Sequence, residues 1–305
     1  MAPQLNTPLG EGTLLKNYRI ERLLASGGFS FVYLARDDSD TPVVIKEYLP
    51  STLALRAEGA PPKLEPKLEP KDLAKFRYGM KCFFEEGRAL AHLQHPNVVR
   101  VLNFFRANDT VYLVMRYERG RSLQEHIQTL RTPPDEVWVR ATFAQLLNGL
   151  REVHTSKLLH LDIKPANVYL REDGSPLLID FGAARQVLSA EGMKLPPTYT
   201  PGYASPEHHV GRENLGPWSD IHSIGATAYA CLGAAAPQPA DMRRKNDRLV
   251  PARRQWAGHY SRELLDIVDW CLRLDHLERP QSVFALQKAL LGEKEPDRRR
   301  ARARR

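Results

Sequence analysis

Apolar and polar residues alternate with a period of two from Tyr18 to Tyr48. The runs YRIERLLA, FSFVYLAR and TPVVIKEY are separated by Gly-rich and Asp-rich turns and predict three strands. From Asp72 the period lengthens: Phe76, Met80, Phe83, Phe84, Gly87, Leu90 and Leu93 fall near one face of a helix that stops before His95-Pro96. Val98 to Phe105 and Thr110 to Tyr117 return to the strand pattern. After Gly120 the spacing is helical almost throughout, in SLQEHIQTL, PDEVWVRATFAQLLNGLREVH, SDIHSIGATAYACL, SRELLDIVDWCLRL and SVFALQKALL. The change near residue 118 predicts an α+β chain of two lobes. Residues 18–117 would form a five-stranded antiparallel sheet with one helix, and residues 118–291 a mainly helical lobe, with a cleft at the junction.

Two segments stand outside this pattern, besides an N-terminal extension over residues 1–17. Residues 58–71, EGAPPKLEPKLEPK, repeat PKLE in tandem, and the recurrent proline denies a helix its donors. A mobile, extended insertion is expected, equally readable as a tolerated surface loop. Residues 292–305 end in RRRARARR, and removing those six arginines from the net charge of +8 leaves +2. The body of the chain is therefore nearly balanced, and no nucleic-acid partner follows from the charge. The stretch reads either as a solvated end or as a basic segment at an anionic membrane surface.

With 305 residues and 42% hydrophobic content the chain is long enough for a sizeable core in one large or two smaller domains. It shows no bilayer-length apolar run and no basic-then-apolar leader, so a cytoplasmic protein is expected, or one at the cytoplasmic face of a membrane. Cys82, Cys231 and Cys271 are odd in number and far apart, which suggests neither a disulfide framework nor a zinc site.

The chemistry-bearing residues fall at particular points of this frame. His160-Leu161-Asp162-Ile163-Lys164-Pro165-Ala166-Asn167 is followed by Asp180-Phe181-Gly182, which puts a candidate base, a cation and two metal ligands within about twenty residues. The turn Ala25-Ser26-Gly27-Gly28-Phe29-Ser30-Phe31-Val32 keeps the middle glycine of a GxGxxGxV phosphate-covering loop and has Ala25 and Ser30 at the outer positions. Alone it reads equally as an ordinary hairpin turn. Val43-Val44-Ile45-Lys46 ends in a lysine that follows three apolar residues, and Glu85 and Glu86 lie on the helix that comes next. Asp220 stands at a helix start, where an N-cap role would explain it as well as a functional one.

Taken together, residues from about Tyr18 to Leu291 resemble a bacterial eukaryotic-like (Hanks-type) serine/threonine protein kinase. The resemblance implies the two-lobed protein-kinase fold and transfer of the γ-phosphate of ATP, with Mg²⁺ or alternatively Mn²⁺, to Ser or Thr hydroxyls of protein substrates. In this reading Asp162 accepts the hydroxyl proton, Lys164 neutralises the transferring phosphate, and Asn167 and Asp180 hold the metal. Lys46 binds the α and β phosphates and pairs with Glu86, preferred over Glu85 because it stands nine residues before His95. Leu24, Gly27, Gly28, Val32, Val44, Met115, Arg116, Tyr117, Glu118 and Leu170 would surround the nucleotide. The activation segment would contain Thr198, Tyr199 and Thr200 and be anchored by Glu207 pairing with Arg279, while Asp220 braces the catalytic loop. Two departures bear on activity: the outer loop glycines are missing, and Leu161 replaces the usual arginine of His-Arg-Asp. The second implies weak dependence on phosphorylation of Thr198. Two function classes remain open, an active kinase and a pseudokinase acting as a nucleotide- or protein-binding scaffold.

Overall fold

The computed structural model describes residues 6–56, 64–66, 69–181, 199–210 and 212–292. They fall into two compact units. Among the described residues the first contains 6–95 and 99–119, and the second contains 96–98 and everything from 120 onward.

The first unit is built on an antiparallel sheet. Its strands are β1 (Leu14–Leu15), β2 (Tyr18–Ser26), β3 (Ser30–Arg36), β4 (Pro42–Tyr48), β7 (Val101–Ala107) and β8 (Thr110–Arg116), in the order β1-β2-β3-β4-β8-β7. The expected five strands are thus six, because Leu14–Leu15 folds back on Tyr18 and Arg19. Two residues are too short to register as an alternating pattern. The segment preceding Tyr18 is tied in further by Leu9, whose N–H donates to Tyr33 Oη at 3.1 Å.

Within the insertion, β6 (Leu64–Pro66) pairs with β5 (Ala54–Arg56), and helix α1 (Pro70–Ala91) begins two residues earlier than its periodicity suggests. Pro70 is tolerated there because a first-turn N–H has no intrahelical acceptor to lose. Residues 58–63, 67 and 68 of the insertion lie outside the described residues.

Register decides what each sheet face presents. Val32 pairs with Lys46, Lys46 with Leu113, and Val44 with Met115, so these side chains share one face. That face packs on α1: the Tyr48 ring meets those of Phe76 and Phe83 at a tilt, each with ring centroids 5.6 Å apart. Helix and sheet come close where α1 carries glycine, since a Cβ on Gly79 would run into Tyr48 Oη and one on Gly87 into Leu113 Cδ2.

The second unit is mainly helical. It contains β9 (Gly120–Ser122), α2 (Leu123–Thr129), α3 (Glu136–Thr155), β10 (Val168–Arg171), β11 (Pro176–Leu178), α4 (Pro217–Gly233), α5 (Ala240–Lys245), α6 (Ala252–Gln255), α7 (Arg262–Cys271) and α8 (Val283–Leu290). Polar residues set the starts: Ser122 and Glu125 form a capping box on α2, and Asp135 caps α3. Leu146, Leu147 and Leu150 of α3 and Ile221, Ile224 and Ala226 of α4 are buried with Leu264, Val268 and Leu286 in one apolar core. Strands β9, β10 and β11 make a small sheet in the order β11-β10-β9.

Candidate active site

The β10–β11 hairpin aligns the expected metal ligands. Val168 pairs with Leu178, and Ile179 N–H donates to Asn167 O at 3.0 Å, so the chain segments bearing Asn167 and Asp180 run side by side. Asp180 has φ +59°, in the left-handed region that costs a non-glycine residue energy and is found at sites the surroundings over-determine.

Asp162 sits at the centre of a polar cluster. Lys164 Nζ lies 2.8 Å from Asp162 Oδ2 and 2.8 Å from Thr200 Oγ1, and the Thr200 hydroxyl donates to Asp162 Oδ1 at 2.9 Å. Asn167 Nδ2 donates to Asp162 O at 2.8 Å and to Asp162 Oδ2 at 2.9 Å. An alcohol, a cation and a carboxylate therefore already share one hydrogen-bonded triangle. Asn167 commits its amide hydrogens to Asp162, so its amide oxygen is the group it could give a metal. With the Asp180 carboxylate it offers the hard oxygen donors that Mg²⁺ prefers.

The loop carrying Asp162 is held from beneath by Asp220 on α4. Asp220 is fully buried; it accepts the N–H of His160 at 2.9 Å and of Leu161 at 2.7 Å, and His154 Nε2 lies 2.7 Å away. Burial works to push this carboxyl up, but the hydrogen bond and charge of His154, helped by His160, outweigh it and hold the carboxyl below its usual range. Asp220 therefore acts on the loop rather than only on its own helix end. His160 Nε2 reaches Ile179 O at 3.1 Å and its ring lies 4.3 Å from that of Phe181.

Glu207 and Arg279 form a two-pronged ion pair, with Nη1–Oε1 and Nη2–Oε2 both 2.8 Å, and the Arg279 side chain is fully buried. Burial alone would raise the Glu207 carboxyl; Arg279 more than offsets this and holds it low. Tyr199 packs its ring 4.5 Å from that of His209. Thr198 lies outside the described residues.

In the first unit Lys46 and Glu86 are both buried, at 6% and 3% exposure, on β4 and α1. Lys46 Nζ stands 5.7 Å from the centroid of the Phe83 ring, one turn of α1 before Glu86. Val32, Val44 and Met115 flank it on the same sheet face, and Leu24, Gly27 and Gly28 belong to β2 and its turn. Arg116 N–H donates to Arg100 O at 2.9 Å, with Tyr117 and Glu118 following directly. Leu170 lies in the second unit, buried on β10.

Three features escaped the sequence reading. Glu47, next to Lys46 and pointing to the opposite sheet face, is completely buried. It accepts from Tyr33 Oη at 2.8 Å and Tyr112 Oη at 2.7 Å and pairs with Arg56 at 2.5 Å. Arg56 also donates from Nε to Thr7 O at 2.8 Å, so the N-terminal segment helps cover that face. A charge inside an otherwise apolar strand was the available signal. The other two, the contact of His154 with Asp220 and that of His208 with Leu161, join residues that no local pattern links.

Comparison with known proteins gives a consistent picture. The family described as "Protein kinase domain" matches residues 18–291. Serine/threonine-protein kinase pkn2 of Myxococcus xanthus is 30% identical over 295 residues, covering 90% of this chain and 32% of that protein. Serine/threonine-protein kinase C of Synechocystis is 30% identical over 300 residues, covering 94% of this chain and 51% of that protein. The chain thus spans from about a third to about half of the length of these curated relatives. Among solved structures, the apo form of PpkA-294 superimposes with a TM-score of 0.81 at 29% identity, covering 93% of this chain and 99% of that one.

Proposed function

Because the chain belongs to the protein kinase domain family, we propose that it transfers the γ-phosphate of ATP to Ser or Thr hydroxyls of protein substrates, with Asp162 as the base. The observation that carries this reading is the triangle of Asp162, Lys164 and Thr200, in which a carboxylate and an ammonium already hold an aliphatic alcohol at 2.8–2.9 Å. A substrate hydroxyl placed as the Thr200 hydroxyl is would donate its proton to Asp162 as its oxygen attacks phosphorus. Lys164, beside both groups, would neutralise charge growing on the transferring phosphoryl group. Lys46, buried with Glu86 nearby on α1, would bind the phosphates that do not leave with the substrate. Protein kinases generally use Mg²⁺ with ATP, and the ion when bound would screen the phosphate charge; Asn167 and Asp180 are the residues that would hold it. Asp220 contributes rigidity to the loop and touches no reacting atom.

Leu161 is buried, and the resemblance lacks its usual phosphate-binding arginine at that position. Activity is therefore read as weakly dependent on phosphorylation of the segment before Glu207.

The test is incorporation of labelled phosphate from ATP with magnesium into an added protein substrate, comparing the chain with its Asp162→Asn variant. The reading expects transfer by the first and a loss of at least about a hundredfold in the second. No incorporation by either chain would favour a scaffold, and equal incorporation by both would expose a contaminant.

The arginines of 298–305 are read as a surface-binding segment, each contributing about 1 kcal/mol near an anionic bilayer. Cosedimentation with anionic vesicles at low salt, reversed as the screening length falls to about 8 Å, is the expected behaviour. Equal sedimentation of the intact chain and one lacking residues 298–305 would remove this reading.

A further inference from the structure

His208 is not part of any motif that marks the site, yet it reaches the loop that carries Asp162. Its ring is half-buried, and both nitrogens meet polar atoms: Ser205 Oγ lies 2.8 Å from Nδ1, and Leu161 O lies 3.3 Å from Nε2. A carbonyl oxygen only accepts, so Nε2 must carry the proton. Nδ1 of the neutral ring is then bare and accepts from the Ser205 hydroxyl. Burial holds the His208 ring below the usual histidine range despite the opposing charges of Asp220 and Glu207, while the neighbouring His209 pushes the same way as burial. The ring is therefore neutral near pH 7, as a single tautomer requires.

Leu161, the residue that Nε2 engages, immediately precedes Asp162 and has φ +63°. A side chain beyond glycine resists this left-handed conformation, and it persists only where surrounding groups over-determine it. Asp220 supplies part of that constraint through the N–H groups of His160 and Leu161. The Leu161–Asp162 peptide plane has two further polar ends. Its N–H faces His160 Nδ1 at 3.4 Å, a long contact, and its C=O faces His208. Rotation of that plane would swing the Asp162 carboxylate out of its triangle with Lys164 and Thr200. Holding the carbonyl opposes this rotation.

We propose that His208 is a positioning residue for phosphoryl transfer: through Ser205 and the Leu161 carbonyl it couples the Thr200–Glu207 segment to the peptide that aims Asp162. The proposal rests on the reading of Asp162 as the base. It also gives the chain a purely internal link between segment and catalytic loop, at the position where Leu161 removes the usual phosphate-binding arginine.

The experiment compares wild type, Asp162→Asn, His208→Leu and His208→Gln in steady-state phosphorylation of an added protein, with thermal midpoints, and adds ¹⁵N-resolved NMR of the histidine rings at pH 7. His208→Leu should lower kcat about tenfold, the scale of a modest misplacement of a reacting group, with KM for ATP within about twofold. His208→Gln, whose amide can still donate to the Leu161 carbonyl, should recover at least about half of the lost rate. The wild-type His208 ring should show a protonated Nε2 and a bare Nδ1. A ring protonated only at Nδ1 would overturn the proposal whatever the rates. So would a His208→Leu variant with wild-type kcat, or rates in both variants that simply follow their thermal midpoints. In those cases a wild type that transfers and an Asp162→Asn variant that does not leave the kinase reading standing. A wild type that transfers nothing removes that reading, and the role of His208 with it.

Discussion

Burial strips Lys46 and Asp220 of most of their water, so each must be matched by its surroundings, and the two serve different ends. Asp220 is satisfied by loop N–H groups and His154, which makes it part of the scaffold. Lys46 lies on a sheet face lined by Val32, Val44 and Met115, where a charge interacts strongly with a phosphate because little water screens it. Replacing Lys46 or Asp180 with alanine should lower phosphate transfer about a hundredfold or more, the loss typical of removing one preorganised electrostatic contact. The thermal midpoint should stay close to wild type, because neither change opens a large apolar cavity. A variant keeping more than about half of the wild-type rate would refute the assignment of that residue. The reverse applies to Glu47: its three partners serve the covered face of the sheet and include no group of the proposed transfer chemistry.

Helix α1 shows how an element, rather than a side chain, positions chemistry. Its approach to the sheet depends on Gly79 and Gly87, which lie against Tyr48 and Leu113 without a Cβ between them. Glu86 is adjacent to the second glycine, so the depth at which α1 sits also sets the depth of Glu86. Gly87→Ala should therefore push helix and sheet apart. We expect a stability loss of about 1–3 kcal/mol, the usual range for overpacking, despite the better helix propensity of alanine. The same variant should raise KM for ATP more than it lowers the thermal midpoint would explain, as shown by assaying both below the transition. Alanine at Gly87 with wild-type stability and KM would mean that α1 accommodates the methyl without moving. In the second unit the β10–β11 hairpin plays the comparable part, since its register brings the chain at Asn167 beside that at Asp180.

For the molecule as a whole, pH acts through groups the fold has buried. His222 on α4 is 2% exposed, and burial, with the charge of Arg279 adding to it, lowers its pKa to about 3. In the unfolded chain the value returns to about 6.5. Between those limits the unfolded state binds a proton that the folded state refuses, so the stability contribution is complete above about pH 6.5 and declines as pH falls. Its size is about 2 kcal/mol between pH 7 and pH 5. Urea unfolding midpoints should fall over this range in the wild type and fall less in His222→Leu, which has no proton to bind. Parallel pH profiles for the two proteins would refute the assignment. Below about pH 4 the depressed carboxyls of Asp220 and Glu207 act in the same direction, because protonating them removes their partners' charge-assisted bonds. No helix among the described residues is long and apolar enough to cross a membrane.

Period and local chemistry were enough to read most of the secondary structure. Alternation over Tyr18 to Tyr48 and the helical spacing of Phe76, Phe83 and Leu90 depend only on which residues are apolar, and so do the long helices after Gly120. The short block from His160 to Asn167 was legible for a related reason: its residue types are dictated by the charges of phosphate and metal. Pieces defined by their pairing rather than by a period of their own were not legible. Leu14–Leu15 is a strand only because Tyr18 and Arg19 lie beside it, and Leu64–Pro66 only because Ala54–Arg56 does. Glu47 is satisfied only because tertiary packing brings Tyr33, Tyr112 and Arg56 around it. Likewise Asp220, held by His154, and His208 reach the loop before Asp162 from separate stretches of chain. A hydrophobic period is a property of neighbours along the chain and survives in the sequence. The solvation of a buried polar group depends on who else is buried with it, and only the folded chain decides that.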